Sequence, residues 1–212
     1  MKLKQLQSFL EDLDVFDSPN IELEQYPTTP HLAAQALFTA CSYGDIEDQS
    51  VVDLGCGCGV LSVASTLMGA GHVIGVDIDE SALAIAQGNV EEFEDMHIDL
   101  VQCDIVNNMQ QLSRLKADTV VMNPPFGTRC KGADIAFLKA GFAIASKAVY
   151  SLHKSSTRAH VLRVAETELG ATKAEVVAEM RYDISASYKF HKEKSKDIAV
   201  DFLRFELPGR EE

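Results

Sequence analysis

The segment Asn123-Pro124-Pro125-Phe126 combines residue types that can hold a flat group bearing an amino group. It follows an apolar run, residues 117–122, that predicts a buried strand. Consecutive prolines fix the backbone and remove two N–H donors, so the carbonyl oxygens there remain as acceptors. An amide, these carbonyls and an aromatic ring at a strand's end predict a small rigid pocket. The alternative is a strand-terminating turn with a core phenylalanine.

A second group of candidate residues is a glycine-rich turn after another apolar run. Residues 51–60 read Val-Val-Asp-Leu-Gly-Cys-Gly-Cys-Gly-Val, with glycine at every second position of the turn. Glycine lets the backbone approach a ligand closely, and the helix that follows directs its N-terminal N–H groups at the same place. The dinucleotide fingerprint needs glycine where Val60 stands, so a ligand without phosphates is favoured over a pyrophosphate.

Carboxylates end the next two predicted strands. Asp77 stands where doubly wound folds place a ribose-binding acid, and Asp104, followed by Ile105, stands where a carboxylate can accept from an adenine amino group. Together with the glycine turn, they predict a ribose-and-adenine site. Cys56 and Cys58 form a C-x-C pair with no second pair and no nearby histidine, which cannot complete a tetrahedral zinc site, so no metal is expected.

These residues lie at the ends of an alternating pattern of strands and helices. The predicted strands are 51–55, 72–78, 98–103, 117–122, 147–152, 173–182 and 196–206. The predicted helices between them are 60–68, 80–94, 133–146 and 157–169, with a weak or missing one before residue 116. Such alternation implies a mostly parallel sheet with helices on both faces. The last two strands lack an intervening helix, which predicts an antiparallel hairpin with a long polar, basic loop at 184–195.

Two further helices precede this pattern. Leucines at helical spacing predict one over residues 2–16, and Thr29-Pro30 predicts the cap and start of another that runs to about Tyr43. On spacing alone, the segment 23–30 between them is a plain inter-helix loop. Asp79 is predicted to cap the helix after the second strand, and Ser156 or Thr157 the helix after the fifth.

Composition bounds the class of protein. A chain of 212 residues that is 46% apolar and 24% charged can build one domain with a full core. Its net charge of −13 argues against adherence to nucleic acid over the whole surface. Five scattered cysteines fit a reducing compartment, and the N-terminus lacks the apolar core of a signal peptide. We therefore expect a soluble intracellular protein.

The order of these pieces resembles the class I S-adenosylmethionine-dependent methyltransferases over residues 51 to about 206. The resemblance implies a Rossmann-like α/β fold of seven strands, mostly parallel with an antiparallel last strand, and S-adenosylmethionine as cofactor. Residues 51–212 would form the methyltransferase domain, and residues 1–50 a helical extension with a cofactor-covering loop. The cofactor-binding residues implied are Gly55, Cys58, Val60, Asp77, Asp104 and Ile105.

The segment 123–126 also resembles the signature of amino-group methyltransferases, which act on adenine N6, cytosine N4 or a glutamine amide. In such a reaction the Asn123 side-chain oxygen and the Pro124 carbonyl would each accept one N–H and draw the nitrogen toward tetrahedral geometry. Phe126 would stack on the ring, and no strong general base is required, so catalysis would rest on positioning and electrostatics. A base inside a helix would have to be flipped or single-stranded to reach the pocket.

Local strings at residues 24–28, 53–61, 123–128, 149–157 and 186–192 together are similar to the methyltransferase-like proteins that form N6-methyladenosine in small-subunit (18S) ribosomal RNA of animals. This resemblance implies that Gln25 and Thr28 also touch the cofactor. It implies a heterodimer with a small zinc-binding methyltransferase activator, which we place on residues 96–103 because the family's third strand is a sheet edge. It further implies a location in cytoplasm and nucleus, with the nucleolus possible.

Two basic clusters are candidates for RNA contact, since cations interleaved with rings suit backbone neutralisation and base stacking. The first contains Lys189, His191, Lys192, Lys194 and Lys196, and the second contains Lys147, His153, Lys154, Arg158 and His160, expected near the same rim of the sheet. Either cluster can equally be a solvated polar loop. The leading hypothesis is an adenine-N6 RNA methyltransferase; the alternatives are a glutamine-amide methyltransferase of release-factor type and a catalytically inactive fold kept as an RNA-binding subunit.

Overall fold

The computed structural model describes residues 1–93, 96–185 and 195–209 of the chain. It confirms the predicted α/β class, with a seven-stranded sheet in the order β3-β2-β1-β4-β5-β7-β6. The strands are β1 Ser50–Leu54, β2 His72–Asp77, β3 Ile98–Gln102, β4 Ala117–Met122, β5 Ala145–Lys154, β6 Lys173–Ser185 and β7 Ser195–Glu206. The helices are α1 Leu3–Glu11, α2 Pro30–Ser42, α3 Val60–Leu67, α4 Glu80–Glu91, α5 Met109–Leu112, α6 Ala133–Ile144 and α7 Arg158–Thr167.

The pairing of the strands places the candidate residues at one edge of the sheet. Strands β1 to β5 are joined by parallel pairs, whereas β7 runs antiparallel to both β5 and β6. Leu54 pairs with both Val76 and Met122, and Asp77 pairs with Gln102. The carboxyl ends of four neighbouring strands therefore meet, as ligand sites of open parallel sheets require.

Two apolar cores hold the layers together, one on each face of the sheet. One core packs α1, α2 and α3 against residues such as Val51, Val121 and Tyr150. The other packs α6 and α7 against residues such as Val52 and Val120. Alternate residues of a strand point to opposite faces, so the continuous apolar runs of β1 and β4 supply both cores.

Several predicted boundaries differ from the structure for local reasons. Helix α1 ends at Glu11, short of the predicted residue 16, because the backbone N–H of Asp14 donates to Oδ1 of Asn89. The weak helix before residue 116 exists as the short α5. Thr157 does not cap α7 as predicted, since its hydroxyl donates to the Lys154 carbonyl within a 3-10 turn. The caps predicted at Thr29 and Asp79 are confirmed.

The predicted antiparallel pair at the C-terminus is confirmed from Lys173 opposite Glu206 to Ser185 opposite Ser195. The residues that join these strands, 186–194, lie outside the described residues. The predicted RNA contacts at Lys189, His191, Lys192 and Lys194 fall there. Across the part of the chain that is described, no helix has the length and apolar character needed to cross a membrane.

Candidate active site

A cavity of about 410 Å³ opens at the carboxyl edge of β1, β2, β3 and β4. Its volume lies within the range of small-molecule sites, roughly 300–1,000 Å³. All the residues predicted to bind a cofactor line it: Gln25, Thr28, Gly55, Cys58, Val60, Asp77, Asp104 and Ile105. Asn123 and Pro125 line the same cavity. Two of the four motif residues thus share one space with the residues predicted to bind the cofactor, whereas Pro124 and Phe126 are not among the lining residues.

The glycine turn forms the floor of the cavity through backbone that other residues rarely adopt. Gly55 and Gly57 have φ of 72° and 54°, and a Cβ on Gly57 would lie 3.0 Å from the Phe16 ring. A Cβ on Gly55 would lie 2.9 Å from the Phe137 ring. These positions require glycine for conformation and for space. Phe16 and Phe137 also line the cavity, and neither was predicted, because no local pattern marks them.

Asp77 is held ready to accept hydrogen bonds. Its Oδ2 accepts from the N–H of Gly57 at 2.8 Å and its Oδ1 from the N–H of Asp79 at 3.0 Å. Each carboxylate oxygen can accept a second bond, and two such oxygens suit the vicinal hydroxyls of a ribose. Burial raises the pKa of Asp77, and the backbone bonds from Asp79 and Gly57 oppose that rise.

Asp104 offers a more exposed carboxylate on the neighbouring strand end. Its Oδ1 accepts from the N–H groups of Val106 and Asn107, and its Oδ2 accepts from the Asn107 side chain at 2.7 Å. The backbone N–H of Asn107 is the main cause that lowers the pKa of Asp104. The group is therefore an ionised acceptor, as contact with an amino group requires.

The N-terminal loop forms part of the cavity wall, since residues 22–28 line it. Gln25 is only 9% exposed; its Nε2 donates to Oδ2 of Asp79, and its Oε1 accepts from the N–H of Asn20, both at 2.7 Å. Oε1 of Glu24 accepts from the N–H of Arg129 at 2.8 Å, which joins this loop to the one that follows Phe126. Spacing alone indicated a plain loop here; the structure shows a wall of the cavity.

Asn123 is held by two hydroxyl groups. Its Nδ2 lies 2.9 Å from Oγ1 of Thr28 and 3.5 Å from the hydroxyl of Tyr182. Tyr182 is 2% exposed, and burial raises its pKa. None of the described residues donates a hydrogen bond to Oδ1 of Asn123, so that oxygen is available as an acceptor.

Phe126 stands beside the cavity. Its ring meets Tyr182 edge to face, with centroids 6.2 Å apart, and Nζ of Lys154 lies 5.3 Å from its centroid. Pro124 is buried, whereas Phe126 is half-buried. A half-buried ring next to Asn123 leaves a surface on which a planar group can stack.

The second basic cluster predicted from the sequence does not form, because its members lie in different places. Lys147 lies at the opposite end of β5, where its Nζ donates to the Gly44 carbonyl and pairs with Asp45. His153 is 1% exposed with Nε2 at 2.8 Å from the Ser151 hydroxyl, and burial lowers its pKa to about 4. His153 is thus buried and neutral, so it contributes no positive charge to a basic surface.

Arg158 remains at the rim but is engaged by acids. Its Nε donates to Oδ2 of Asp201 at 2.6 Å and its Nη2 to Oδ1 of Asp201 at 2.7 Å, and Nη2 also lies 2.7 Å from Oε1 of Glu179. Bidentate pairing of this kind fixes a guanidinium. To bind RNA as predicted, Arg158 would have to replace its pairing with Asp201 or Glu179 by a phosphate contact. Lys154 would only have to move away from the Phe126 ring.

The cysteines near the cavity are thiols. Burial raises the pKa of Cys58 to about 12, with the Asp77 carboxylate adding to the effect. All five cysteines are unpaired. Within residues 1–93, 96–185 and 195–209, no group of three or more His, Cys, Asp or Glu is placed to hold a metal ion.

The charge of the cavity wall indicates the ligand that fits. Four of the lining residues are acidic, namely Glu22, Glu24, Asp77 and Asp104, and no lysine, arginine or histidine lines it among the residues described. Such a wall disfavours phosphates and favours a ligand with positive charge. S-adenosylmethionine, which carries ribose, adenine and a sulfonium, fits this donor and acceptor set.

Comparison with known proteins agrees with this chemistry. A family model described as ribosomal protein L11 methyltransferase (PrmA) matches residues 26–124. The chain is 53% identical to the Danio rerio protein named rRNA N(6)-adenosine-methyltransferase METTL5, over 97% of this chain and 99% of that protein. It is 49% identical to the Drosophila melanogaster protein of the same name, over 98% of this chain and 97% of that protein.

Solved structures show the same architecture. A crystal structure of a candidate RNA methyltransferase from Pyrococcus horikoshii has a TM-score of 0.83 at 35% identity and covers 98% of both chains. A magnesium protoporphyrin IX methyltransferase with bound S-adenosylmethionine shares the fold alone, with a TM-score of 0.60 at 18% identity over 83% of this chain and 78% of that one. The chain therefore belongs to the METTL5 family of class I methyltransferases, enzymes whose cofactor is S-adenosylmethionine.

Proposed function

We propose that the chain methylates the exocyclic N6 of an adenosine in small-subunit (18S) ribosomal RNA. The observation that carries the proposal is that the Asn123 amide lines the same cavity as Asp77 and Asp104. An acceptor amine held by Asn123 then lies next to a cofactor held by the two aspartates. The names of the two animal relatives support ribosomal RNA and adenosine N6 as the acceptor.

The residues around the acceptor act by binding and orientation. When bound, S-adenosylmethionine supplies an electrophilic methyl group; the new N–C bond forms as the S–C bond breaks, and the amine then loses a proton to solvent. Oδ1 of Asn123 and the Pro124 carbonyl each accept one N–H of the amine. These two bonds draw the nitrogen lone pair out of conjugation with the ring. Pro125, next to the cavity, keeps the turn rigid, so little reorganisation accompanies transfer.

The surface next to residues 123–126, formed by Phe126 and Lys154, suits a base that has been flipped out of its helix. Phe126 offers a half-buried ring for stacking, which contributes roughly 1–3 kcal/mol per base in single-strand binding. Lys154, whose Nζ lies 5.3 Å from the centroid of that ring, would be a cation for the adjoining phosphate. Arg158 and the basic residues of 189–194 are further candidates for RNA contact. An adenine inside a helix must leave its stack to reach the site.

The proposal is tested with purified protein, tritiated S-adenosylmethionine and two acceptors, namely ribosomal RNA from cells that lack this chain and total protein from the same cells. We expect label in the RNA, and nucleoside mass spectrometry should identify it as N6-methyladenosine in the small subunit. Label confined to protein would overturn the proposal. That outcome would favour a glutamine amide as acceptor, since the same oxygen pair could hold it.

We further propose that a small zinc-binding activator pairs with the edge strand, residues 96–103. Strand β3 lies at the edge of the sheet, and Val101 on it is 41% exposed. Ile78 and Val106, beside the same edge, are 42% and 43% exposed. An unpaired edge with exposed apolar side chains favours addition of a further strand. The heterodimer would work on ribosomal RNA in cytoplasm and nucleus, including the nucleolus, where unpaired cysteines stay reduced.

The edge-strand proposal is tested by co-expression with the activator. Val101→Asp should abolish co-purification, because a carboxylate would be buried in the apolar contact. Phe38→Asp, at a residue 40% exposed on α2, is the matched control and should leave the complex intact. If Val101→Asp co-purifies as well as the control, the activator binds elsewhere.

A further inference from the structure

The Tyr182 hydroxyl connects the acceptor amide to the N-terminal loop. It lies 3.5 Å from Nδ2 of Asn123, 3.0 Å from the Tyr26 carbonyl oxygen and 2.9 Å from the Pro27 carbonyl oxygen. Tyr182 comes from β6, at the far side of the sheet from β1, and is 2% exposed. A polar group buried to this degree needs protein partners, and these three atoms supply them.

The chemistry of these partners fixes the direction of each hydrogen bond. A phenol has one proton, and carbonyl oxygens only accept, so the Tyr182 proton is directed to the Tyr26 and Pro27 carbonyls. The phenol oxygen can then only accept from Asn123. The end of the amide that faces Tyr182 must accordingly be the NH2 group, and Oδ1 must face away from it.

Thr28 cannot set this orientation by itself. A threonine hydroxyl both donates and accepts, so it can satisfy either end of the Asn123 amide. With Thr28 alone, the amide could turn over and present its NH2 to the acceptor amine, where two donors would oppose each other. Tyr182 removes this second arrangement because its proton is already committed to the carbonyls.

We propose that Tyr182 is a positioning residue that holds the Asn123 amide with Oδ1 directed at the acceptor nitrogen. The inference rests on the role proposed above for Asn123. The Tyr182 ring also meets Phe126 edge to face, so one buried side chain supports both the amide that binds the amine and the ring that stacks on the base. Its hydroxyl further ties both to the loop that closes the cofactor cavity.

The direct test is Tyr182→Phe, which keeps the ring and its packing and removes only the hydroxyl. We expect kcat for RNA methylation to fall about tenfold or more, because the Asn123 amide loses the contact that fixes its orientation and can turn over. KM for RNA and Kd for S-adenosylmethionine should stay within about threefold of wild type. A kcat equal to that of wild type overturns the proposal.

Tyr150→Phe is the matched control for a purely structural effect. Tyr150 is 0% exposed, and its hydroxyl donates to Oδ2 of Asp45 at 2.7 Å, at the opposite end of the sheet. This variant should lower the Tm while kcat at a temperature below both transitions stays unchanged. If Tyr150→Phe and Tyr182→Phe lower kcat equally, the effect is one of stability and the proposal fails.

A second readout needs no acceptor. The side-chain NH2 resonance of Asn123, identified by its loss in Asn123→Asp, should shift and exchange faster with solvent in Tyr182→Phe than in wild type. An unchanged resonance overturns the role of Tyr182 whatever the substrate is. A wild-type chain that methylates no RNA while the resonance shifts would instead overturn the proposed acceptor and leave the positioning contact standing.

Discussion

Nδ2 of Asn123 lies 2.9 Å from the hydroxyl of Thr28, although the two residues are far apart in the chain. One belongs to the motif at the end of β4, and the other to the loop before α2. The contact makes the N-terminal segment part of the acceptor site as well as of the cofactor cavity. The predicted cofactor site and the predicted acceptor site therefore share the N-terminal loop as a common wall.

Thr28→Val should weaken methyl transfer while leaving the fold intact. Valine keeps the shape of threonine but offers nothing to Nδ2 of Asn123, so we expect kcat to fall by up to about tenfold. Thr28→Ser keeps the hydroxyl and is the control, expected close to wild type. Initial rates with saturating RNA measure the difference. Equal rates for the valine and serine variants would show that the hydroxyl does not matter.

Asn123→Ala should abolish turnover and spare cofactor binding. The amide oxygen is expected to bind the amine in the transition state, so its removal should lower kcat about 100-fold or more. Kd for S-adenosylmethionine, measured by calorimetry, should change little because Asp77 and Asp104 remain. Gln110→Ala, at an exposed position on α5, is the control. Activity retained in Asn123→Ala would contradict the role given to the amide.

The acidic cavity should distinguish the cofactor from its product by charge. S-adenosylmethionine carries one more positive charge than S-adenosylhomocysteine, and carboxylates alone supply the formal charges among the described lining residues. Raising the salt concentration from 50 to 500 mM screens these charges and should weaken binding of S-adenosylmethionine about threefold more than binding of the product. Calorimetric titrations of both ligands measure this. Equal salt dependence of the two dissociation constants would show that the acidic wall does not contribute to binding of the sulfonium.

Asp53 should make stability depend on pH. Its side chain is 0% exposed, Oδ2 accepts from the Ser62 hydroxyl at 2.7 Å, and Oδ1 has no partner among the described residues. Burial raises the pKa of Asp53 to about 7. An unfolded aspartate titrates near pH 3.9, so between about pH 4 and 7 the folded chain binds the extra proton and Asp53 lowers the free energy of unfolding as pH rises.

Asp53→Asn cannot lose a proton, so its stability relative to wild type should rise between about pH 4 and 7 and level off above. The slope is at most about 1.4 kcal/mol per pH unit. Urea denaturation from pH 5 to 8 measures it, with Asp48→Asn at an exposed position as the flat control. A constant difference across that range would show that Asp53 stays ionised in the folded chain.

Much of the cavity could be predicted because its residues follow strands. The glycine turn, Asp77, Asp104 and Asn123 each occupy the end of a strand, and parallel pairing must bring such ends together. A different signal predicted the antiparallel pair of β6 and β7, namely the lack of a helix between them. The apolar pattern that marks a strand, and the residues that follow its end, can be read from the sequence alone.

The remaining contacts depend on packing between distant elements, which no spacing encodes. Phe16 over Gly57 and Tyr182 beside Asn123 come from segments whose patterns indicate only the end of a helix and a strand. Lys147 and His153 belong to one strand, yet its two ends face opposite edges of the sheet and His153 points into the core. Sequence proximity suggested one basic surface, and the direction of β5 separates them.

The N-terminal loop has a consequence for how the chain can be shortened. Residues 20–28 bond to Asp79, Arg129 and Asn123 through Gln25, Glu24 and Thr28. A truncated protein that starts at β1 would keep every strand of the Rossmann-like sheet but would lose one wall of the cavity and a partner of the acceptor amide. The smallest active fragment of this enzyme must therefore include the loop, and fusion partners are better attached before α1 than inserted between α1 and α2.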